Sequence, residues 1–122
     1  MINSLYQAIL IDHYQHPRNR GILDAAHFSS ALHNPSCGDS VSVQGIFANG
    51  RLSKLMFQGS GCVISQGTAS ILTEKLIGLN KEEILALDGA FLQPLIGMEL
   101  GPTRLKCALL PLEAIKQGLG DV

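Results

Sequence analysis

The sequence has no surplus of positive charge, because its 9 lysines and arginines are matched by 10 aspartates and glutamates. The formal net charge is -1. Proteins that bind nucleic acid through phosphate contacts usually carry a basic patch or stripe. Nucleic acid is therefore not expected to be the main partner, and no stripe of the kind that binds a membrane surface is evident.

The chain also lacks a long apolar run. No stretch approaches the roughly 20 residues that a membrane-spanning helix needs. Residues 1–6 have neither the positive charge nor the continuous apolar core of a secretion signal. These features predict a cytoplasmic protein that does not enter a membrane. A length of 122 residues with 46% hydrophobic residues predicts a single domain over residues 1–122, which needs no disulfides to fold.

Cysteine is scarce, and the three cysteines are far apart in the sequence: Cys37, Cys62 and Cys107. Three thiols cannot all pair within one chain. Their spacing matches neither a zinc finger nor a redox pair of the C-x-x-C kind. We therefore expect reduced thiols with a chemical function.

The candidate site begins in the loop at residues 34–40, which contains a proline and a glycine. Cys37 and Asp39 lie two residues apart in this loop. If the fold brings the other two cysteines to this loop, three thiolates and one carboxylate would form a ligand set suited to soft or borderline metals. The cationic residues Arg104 and Lys106 precede Cys107 and would offset the negative charge of such a cluster.

A β-hairpin is predicted after this loop. Apolar residues recur at an imperfect two-residue period from Val41 to Phe47, and Asn49-Gly50 is a strong signal for a hairpin turn. Leu52, Leu55 and Phe57 would form the returning strand. Because antiparallel strands bring their outer ends together, Cys37 and Cys62 should be neighbours.

Helices are predicted on both sides of the hairpin. The first runs from Asn3 to about His16, with Asn3 or Ser4 as its cap, and residues 22–33 show no clean period and are expected to be irregular. A second helix follows Cys62 and runs to about Ile77. A thiol at a helix N-terminus is favoured as the thiolate. The alternative is that the flanking glycines only permit tight packing and Cys62 is a small buried hydrophobe.

Shorter helices are expected downstream. Asn80 and Glu83 form a plausible capping box for a helix through Leu87, and residues 90–98 suggest another. A break at residues 101–103 precedes the last helix, which reaches about Gly118. Pro111 leaves two possibilities: the helix starts near residue 108, with Cys107 at its N-terminus, or it starts earlier and is kinked.

Two other kinds of site are weighed against a labile metal site. A purely structural zinc module would use a closed set of thiolates or histidines on short spacings, which the chain lacks. A Cys/His hydrolase would pair one cysteine with a histidine, but no nucleophile elbow or supporting acid is recognisable. The histidines of the first helix are expected to pack or form hydrogen bonds. The four histidines are His13, His16, His27 and His33.

Several segments, taken in order, resemble the IscU/SufU/NifU-N family of iron–sulfur cluster assembly scaffolds and sulfur-relay proteins. The resemblance covers nearly the whole chain. It implies an α+β fold, with a small antiparallel sheet of about three strands packed against helices. The segments are Asn-Pro-Ser-Cys-Gly-Asp at 34–39, Gly-Ser-Gly-Cys-Val-Ile-Ser at 59–65, Arg-Leu-Lys-Cys at 104–107, and the opening residues 5–6, 11–14 and 19–21.

The resemblance also implies a site and its partners. Cys37, Asp39, Cys62 and Cys107 map onto the positions that bind Zn²⁺ or a transient [2Fe-2S] cluster. The expected partners are a cysteine desulfurase, SufS-like or IscS-like, and downstream proteins that accept or assemble clusters. Cys107 is expected to accept persulfide sulfur.

The chain combines features of two subtypes of this family. Arg104 and Lys106 resemble the SufU pattern, in which they would assist Cys107, and residues 100–104 replace the chaperone-recognition segment of IscU proteins. The separation between Cys62 and Cys107 leaves no room for the insertion usual in SufU and resembles IscU. We expect a SufU-like, zinc-dependent persulfide acceptor, with an IscU-like cluster scaffold as the alternative.

Overall fold

The computed structural model describes residues 4–35, 38–97 and 100–120, which form an α+β fold as the resemblance implies. The three strands pair antiparallel in the order β1-β2-β3. None of the helices in these ranges is long and apolar enough to cross a bilayer. The elements are α1 Ser4–Gln15, β1 Phe28–Asn34, β2 Asp39–Ala48, β3 Arg51–Ser60, α2 Val63–Lys75, α3 Lys81–Leu85, α4 Gly89–Ile96 and α5 Pro102–Gly120.

The predicted hairpin is confirmed as β2 and β3. Asn49 and Gly50 both have positive φ, +55° and +76°, as a two-residue hairpin turn with the twist of the strands requires. At the other end of the hairpin, Ser40 pairs with Ser60. The start of β2 therefore lies beside the residues that lead from β3 into α2.

The prediction of irregular chain over residues 22–33 is wrong for its second half, where β1 forms an edge strand. Serine, alanine and histidine occupy much of this strand and give little β signal. It forms because it pairs with β2 along its whole length. Its first residue, Phe28, fills space left by two glycines, since a Cβ at Gly45 or Gly118 would overlap the Phe28 ring.

The core lies between the sheet and the helices, where α2 and α5 both contact the strands. Leu72, Leu112 and Leu119 are fully buried there with Phe57 of β3. Helix α1 packs on α2 where the Leu10 side chain lies against Gly67. This packing holds the ends of β2, α2 and α5 at one side of the molecule, where the candidate site lies.

The last helix begins at Pro102, so the alternative in which it starts near residue 108 with Cys107 at its N-terminus is wrong. The predicted break at residues 101–103 is the start of the helix, because proline is well suited to the first helical position. Pro111 lies inside α5 and has no N–H to donate to the carbonyl of Cys107 four residues earlier. Cys107 is therefore in the second turn of a continuous helix.

The capping box of α3 is confirmed. The Glu83 N–H donates to Asn80 Oδ1 at 2.8 Å, and the Asn80 N–H donates to Glu83 Oε1 at 2.9 Å. The helix itself ends at Leu85, two residues earlier than predicted. The predicted helix over 90–98 corresponds to α4, for which Asp88 provides the N-cap. Asn3 and Met98 lie outside the described residues.

The outer edge of β3 is bonded at both of its ends. Near one end, the Gly21 N–H donates to the Phe57 carbonyl at 2.9 Å, and the Phe57 N–H donates to the Asn19 carbonyl at 3.1 Å. Near the other, Leu52 exchanges two hydrogen bonds of 2.8 Å with Gly78 and Leu79. Two connecting segments thus act as short partners for the outermost strand.

His13 joins α1 to α2, which confirms that it forms hydrogen bonds. Its Nδ1 lies within hydrogen-bond distance of Ser70 Oγ, at 2.7 Å. The same oxygen accepts a hydrogen bond from the Arg18 N–H at 2.9 Å. Its Nε2 lies 3.7 Å from the Glu74 carboxylate. The ring is 7% exposed, so this contact is part of the interface between the two helices.

Burial lowers the pKa of His13 below 6.5, and the charge of Arg18 lowers it further, against the smaller opposing effects of Glu74 and Asp12. Between the lowered folded value and 6.5, the unfolded chain binds a proton that the folded chain does not. The free energy of unfolding of the metal-free protein should therefore fall as the pH falls below about 6.5, by at most about 1.4 kcal/mol per pH unit. His13→Gln should lose this dependence in urea unfolding measured from pH 5 to 8. An equal slope in the variant would contradict this role.

Candidate metal site

Three elements bring Asp39, Cys62 and Cys107 together. Asp39 is the first residue of β2, Cys62 is the N-cap of α2, and Cys107 lies in the second turn of α5. One carboxylate oxygen and the two Sγ atoms all lie within 4.8 Å of one another. Cys37, the fourth ligand in the sequence prediction, lies outside the described residues.

Asp39 contacts Cys62 through both of its carboxylate oxygens. The Cys62 backbone N–H donates to Oδ1 at 3.0 Å, and the Cys62 thiol donates to Oδ2 at 3.1 Å. Asp39 is only 2% exposed, so its carboxylate depends on these donors in place of water. The predicted neighbours are Cys37 and Cys62, of which Cys37 lies outside the described residues; the two ends of the hairpin do meet at Asp39 and Cys62.

Cys62 lies at a helix N-terminus, as predicted, and acts as the cap itself. Its φ and ψ of -77° and 168° are extended, and its Sγ accepts a hydrogen bond from the Ser65 N–H at 3.4 Å. Its side chain is exposed, so the alternative of a small buried hydrophobe is wrong. The first amide groups of α2 therefore point towards this sulfur.

Gly61 permits the close approach of Asp39 to Cys62. Its φ of +147° is rare for residues with a side chain, and a Cβ here would overlap the Asp39 carboxylate. Tight packing at this glycine is thus confirmed, and it allows the contact between the two candidate ligands.

Cys107 approaches the pair from α5 and is 6% exposed. Arg104 and Lys106 are both exposed on the same helix. Arg104, three residues earlier, is on the same side of α5 as Cys107, whereas Lys106 borders a cavity of about 320 Å³ between β1 and α5 that also includes Glu113. Both cations are near Cys107 in sequence. The Lys106 side chain, however, faces away from Cys107, towards β1.

The donor set fits a thiophilic metal ion. In a tetrahedral zinc site the Zn–S and Zn–O distances are about 2.3 Å and 2.1 Å, which places ligand atoms roughly 3.5 to 3.8 Å apart. The present atoms lie within 4.8 Å of one another, with Cys62 Sγ and Asp39 Oδ2 at 3.1 Å, so only small adjustments of their spacing are needed. A carboxylate among thiolates is the harder and more exchangeable ligand.

Within the described ranges, no histidine belongs to this group. His13 is engaged by Ser70, and His27 Nδ1 accepts a hydrogen bond from the Phe47 N–H at 3.0 Å. Both of these imidazoles are therefore engaged away from the candidate ligands.

The sequence interpretation assigned no role to Ser65 and Gln66, which pack beside the site. Gln66 Nε2 donates to the Ser40 carbonyl at 3.2 Å and to Ser65 Oγ at 3.1 Å. A serine three residues after a helix cap is a signal that could have pointed to the Cys62–Ser65 contact. The contact of Gln66 with Ser40 spans 26 residues and has no local signal.

Comparison with known proteins gives a consistent family. Residues 5–122 match the NifU-like N terminal domain. The iron–sulfur cluster assembly scaffold protein IscU of Streptococcus pyogenes serotype M1 is 34% identical, over 97% of this chain and 84% of its own. The zinc-dependent sulfurtransferase SufU of Bacillus subtilis is 28% identical, over 97% and 91%. IscU of Haemophilus influenzae is 32% identical, over 95% and 94%.

These relatives differ in length from this chain. The alignments with the Streptococcus and Bacillus proteins extend over 135 positions, more than the 122 residues of the chain, so both proteins contain residues that this chain lacks. The alignment with the Haemophilus protein covers 120 positions. In length the chain is closer to the Haemophilus scaffold protein.

Solved structures agree with the fold. A putative iron–sulfur cluster assembly scaffold protein for the SUF system from Fervidobacterium islandicum AW-1 superposes with a TM-score of 0.79 at 27% identity, covering 95% of this chain and 97% of that one. The N-terminal NifU-like protein of Brucella abortus, at 18% identity and a TM-score of 0.76, shares the fold. The chain belongs to the IscU/SufU/NifU-N family of iron–sulfur cluster assembly proteins.

Proposed function

We propose that this protein is a SufU-like, zinc-dependent acceptor that takes persulfide sulfur from a cysteine desulfurase and passes it to downstream proteins of iron–sulfur cluster assembly. The observation that carries the proposal is the group formed by Asp39, Cys62 and Cys107, with its ligand atoms within 4.8 Å. The similarity to the zinc-dependent sulfurtransferase of Bacillus subtilis supports it.

The proposed ligands are Cys37, Asp39, Cys62 and Cys107. A bound Zn²⁺ would keep the coordinating thiols deprotonated. The Asp39 carboxylate, already oriented by the Cys62 N–H, would remain a ligand when a thiolate leaves. The Ser65 N–H would hold the Cys62 sulfur at the helix cap.

Cys107 is the proposed acceptor. Its thiolate Sγ would attack the terminal sulfur of the desulfurase persulfide, so that a new S–S bond forms at Cys107 while the original S–S bond breaks. The electron pair of the broken bond leaves with the desulfurase cysteine as its thiolate, and no external oxidant or reductant is needed. The exposed Arg104, on the same side of α5 as Cys107, would attract the anionic persulfide, and Lys106, which faces β1, would add to the positive charge of this end of the helix.

An IscU-like scaffold is the second candidate, favoured by the length of the chain. Its alignment with the Haemophilus scaffold protein covers 120 positions, without the extra residues of the Bacillus sulfurtransferase. In this role the same four residues would hold a transient [2Fe-2S] cluster, with Asp39 as the ligand that allows its release.

A purely structural zinc module is disfavoured by the extent of the core. The large buried side chains, such as Leu72 and Leu112, join the sheet to α2 and α5 without any contribution from the candidate ligands. A zinc-dependent fold would unfold on chelation. We expect the circular dichroism spectrum of this protein to be retained in excess chelator.

The proposal is tested by desulfurase turnover with and without the zinc-loaded protein. We expect faster alanine release from cysteine and appearance of a persulfide on the protein, because a competent acceptor clears the desulfurase persulfide. Absence of stimulation with zinc still bound would overturn the sulfur-relay role. The scaffold role instead predicts a visible chromophore on anaerobic reconstitution with iron and sulfide, which transfers to an apo acceptor.

A further inference from the structure

The buried amide of Gln66 connects the two elements that hold Asp39 and Cys62. Gln66 lies in the first turn of α2 and is 6% exposed. Its Nε2 donates at 3.2 Å to the carbonyl of Ser40, the residue after Asp39. The same Nε2 donates at 3.1 Å to Ser65 Oγ. One side chain thus bonds to the start of β2 and to the first turn of α2.

The orientation of this amide is fixed by its partners. The Ser40 carbonyl can only accept, so the atom facing it must be the nitrogen. Both hydrogens of Nε2 are then used, and Oε1 is directed towards Gly59, where a Cβ would lie 3.0 Å away. Within the described residues, Oε1 has no hydrogen-bond partner although it is buried. An unsatisfied acceptor lowers stability, so the amide is a poor choice if filling space were its only role.

The hydrogen bond from Gln66 also determines which hydrogen-bond donors of Ser65 are available to Cys62. Because Ser65 Oγ accepts from Gln66, its own hydrogen remains available for donation. It can donate to the Cys62 carbonyl at 3.4 Å, and the same hydroxyl oxygen can accept from the Cys62 thiol at 3.7 Å. The Ser65 N–H already donates to that sulfur at 3.4 Å. Ser65 therefore presents two donors to Cys62.

We infer that Gln66 is a positioning residue for the metal site, which sets the distance and direction between the Asp39 carboxylate and the Cys62 thiolate. The inference rests on the proposed function, since it needs these two groups to be ligands. Without the amide, β2 and α2 would still be joined by the core and by the contacts of Asp39 with Cys62, but within the described residues no other side chain bonds the Ser40 carbonyl to Ser65. Residues that orient metal ligands typically contribute about 10- to 100-fold to metal affinity.

The test replaces Gln66 by methionine, which keeps the length and volume and removes both donors together with the unsatisfied oxygen. Co²⁺ is titrated into the full chain after chelator treatment, and the sulfur-to-cobalt charge-transfer and ligand-field bands are recorded. We expect at least about tenfold weaker binding in Gln66→Met. The ligand-field bands should also shift, because the angle between Asp39 and Cys62 at the metal is no longer fixed.

Thr68→Val is the matched control. Thr68 lies on the same helix, is 1% exposed, and has a buried hydroxyl without a partner among the described residues. Valine keeps its shape, so the change removes an unsatisfied polar atom without touching the site. Thr68→Val should fold at least as stably as the wild type and bind Co²⁺ with unchanged affinity and spectrum.

Ser65→Ala is a second variant, which decides the matter if Gln66→Met does not fold. It removes the hydroxyl that Gln66 holds, and alanine is a good helix former. It should also weaken Co²⁺ binding and shift the bands. Affinities within twofold of the wild type with identical spectra, in whichever of the two variants folds, would overturn the inference while leaving the proposed function intact. Absence of thiolate-to-cobalt bands in the wild type would overturn both.

Discussion

Replacement of Cys107 by serine is expected to reduce persulfide acceptance to the background measured without desulfurase. A hydroxyl cannot hold sulfane sulfur, whereas its size is close to that of a thiol. Cys107 is buried and lies within a continuous helix that extends from Pro102 to Gly120. A substitution of similar volume should therefore leave the fold in place. Intact mass spectrometry after incubation with desulfurase and cysteine would detect the added sulfur atom.

Cys62→Ser is the control for this experiment. Cys62 Sγ is held at the helix cap by the Asp39 carboxylate and the Ser65 N–H, and these contacts suit a fixed ligand more than a mobile acceptor. The Cys62 variant should lose metal but still acquire sulfur at Cys107, although more slowly. If instead Cys107→Ser acquired sulfur at the wild-type rate and Cys62→Ser did not, the acceptor would be Cys62.

Replacement of Asp39 by alanine is expected to weaken zinc binding by more than about 100-fold, because loss of a ligand should exceed the 10- to 100-fold cost of losing an outer partner. It should also lower the free energy of unfolding of the metal-free protein by about 1 kcal/mol, since the partly buried Cys62 N–H loses its acceptor. Zinc affinity is measured by competition with a chromophoric chelator, and stability by urea unfolding.

Asp39→Asn separates the two effects. Asparagine keeps the shape and an oxygen for the Cys62 N–H, so stability without metal should return close to that of the wild type. Its neutral amide is a poor zinc ligand, and the affinity should remain low. Wild-type zinc affinity in both variants would show that Asp39 is not a ligand, and would remove from the proposed mechanism the ligand that stays on the metal when a thiolate leaves.

Local signals in the sequence predicted local structure well. Asn49-Gly50 fixed the hairpin because few dipeptides adopt two positive φ angles. Asn80 and Glu83 predicted a reciprocal cap that the structure shows in full. The hairpin in turn predicted that Cys37 and Cys62 would be neighbours, and the same strand pairing brings Asp39, two residues after Cys37, to Cys62.

Contacts that depend on tertiary packing could not be predicted in this way. β1 is a strand because of its pairing with β2 and the fit of Phe28 against Gly118, neither of which leaves a local pattern. The approach of Cys107 depends on how α5 is placed on the sheet, and only the family resemblance connected it with the other ligands. The start of α5 was ambiguous because Pro102 and Pro111 are both compatible with a first turn.

The bonds along the outer edge of β3 have a consequence for solubility. An exposed edge strand is a template on which another chain can add, which is a common route to aggregation. Here both ends of the ten-residue strand are already occupied, by Asn19 and Gly21 at Phe57 and by Gly78 and Leu79 at Leu52. The stretch between them contains a register shift and the exposed Lys54. The strand that leads to Cys62 is therefore protected from intermolecular pairing by its own chain.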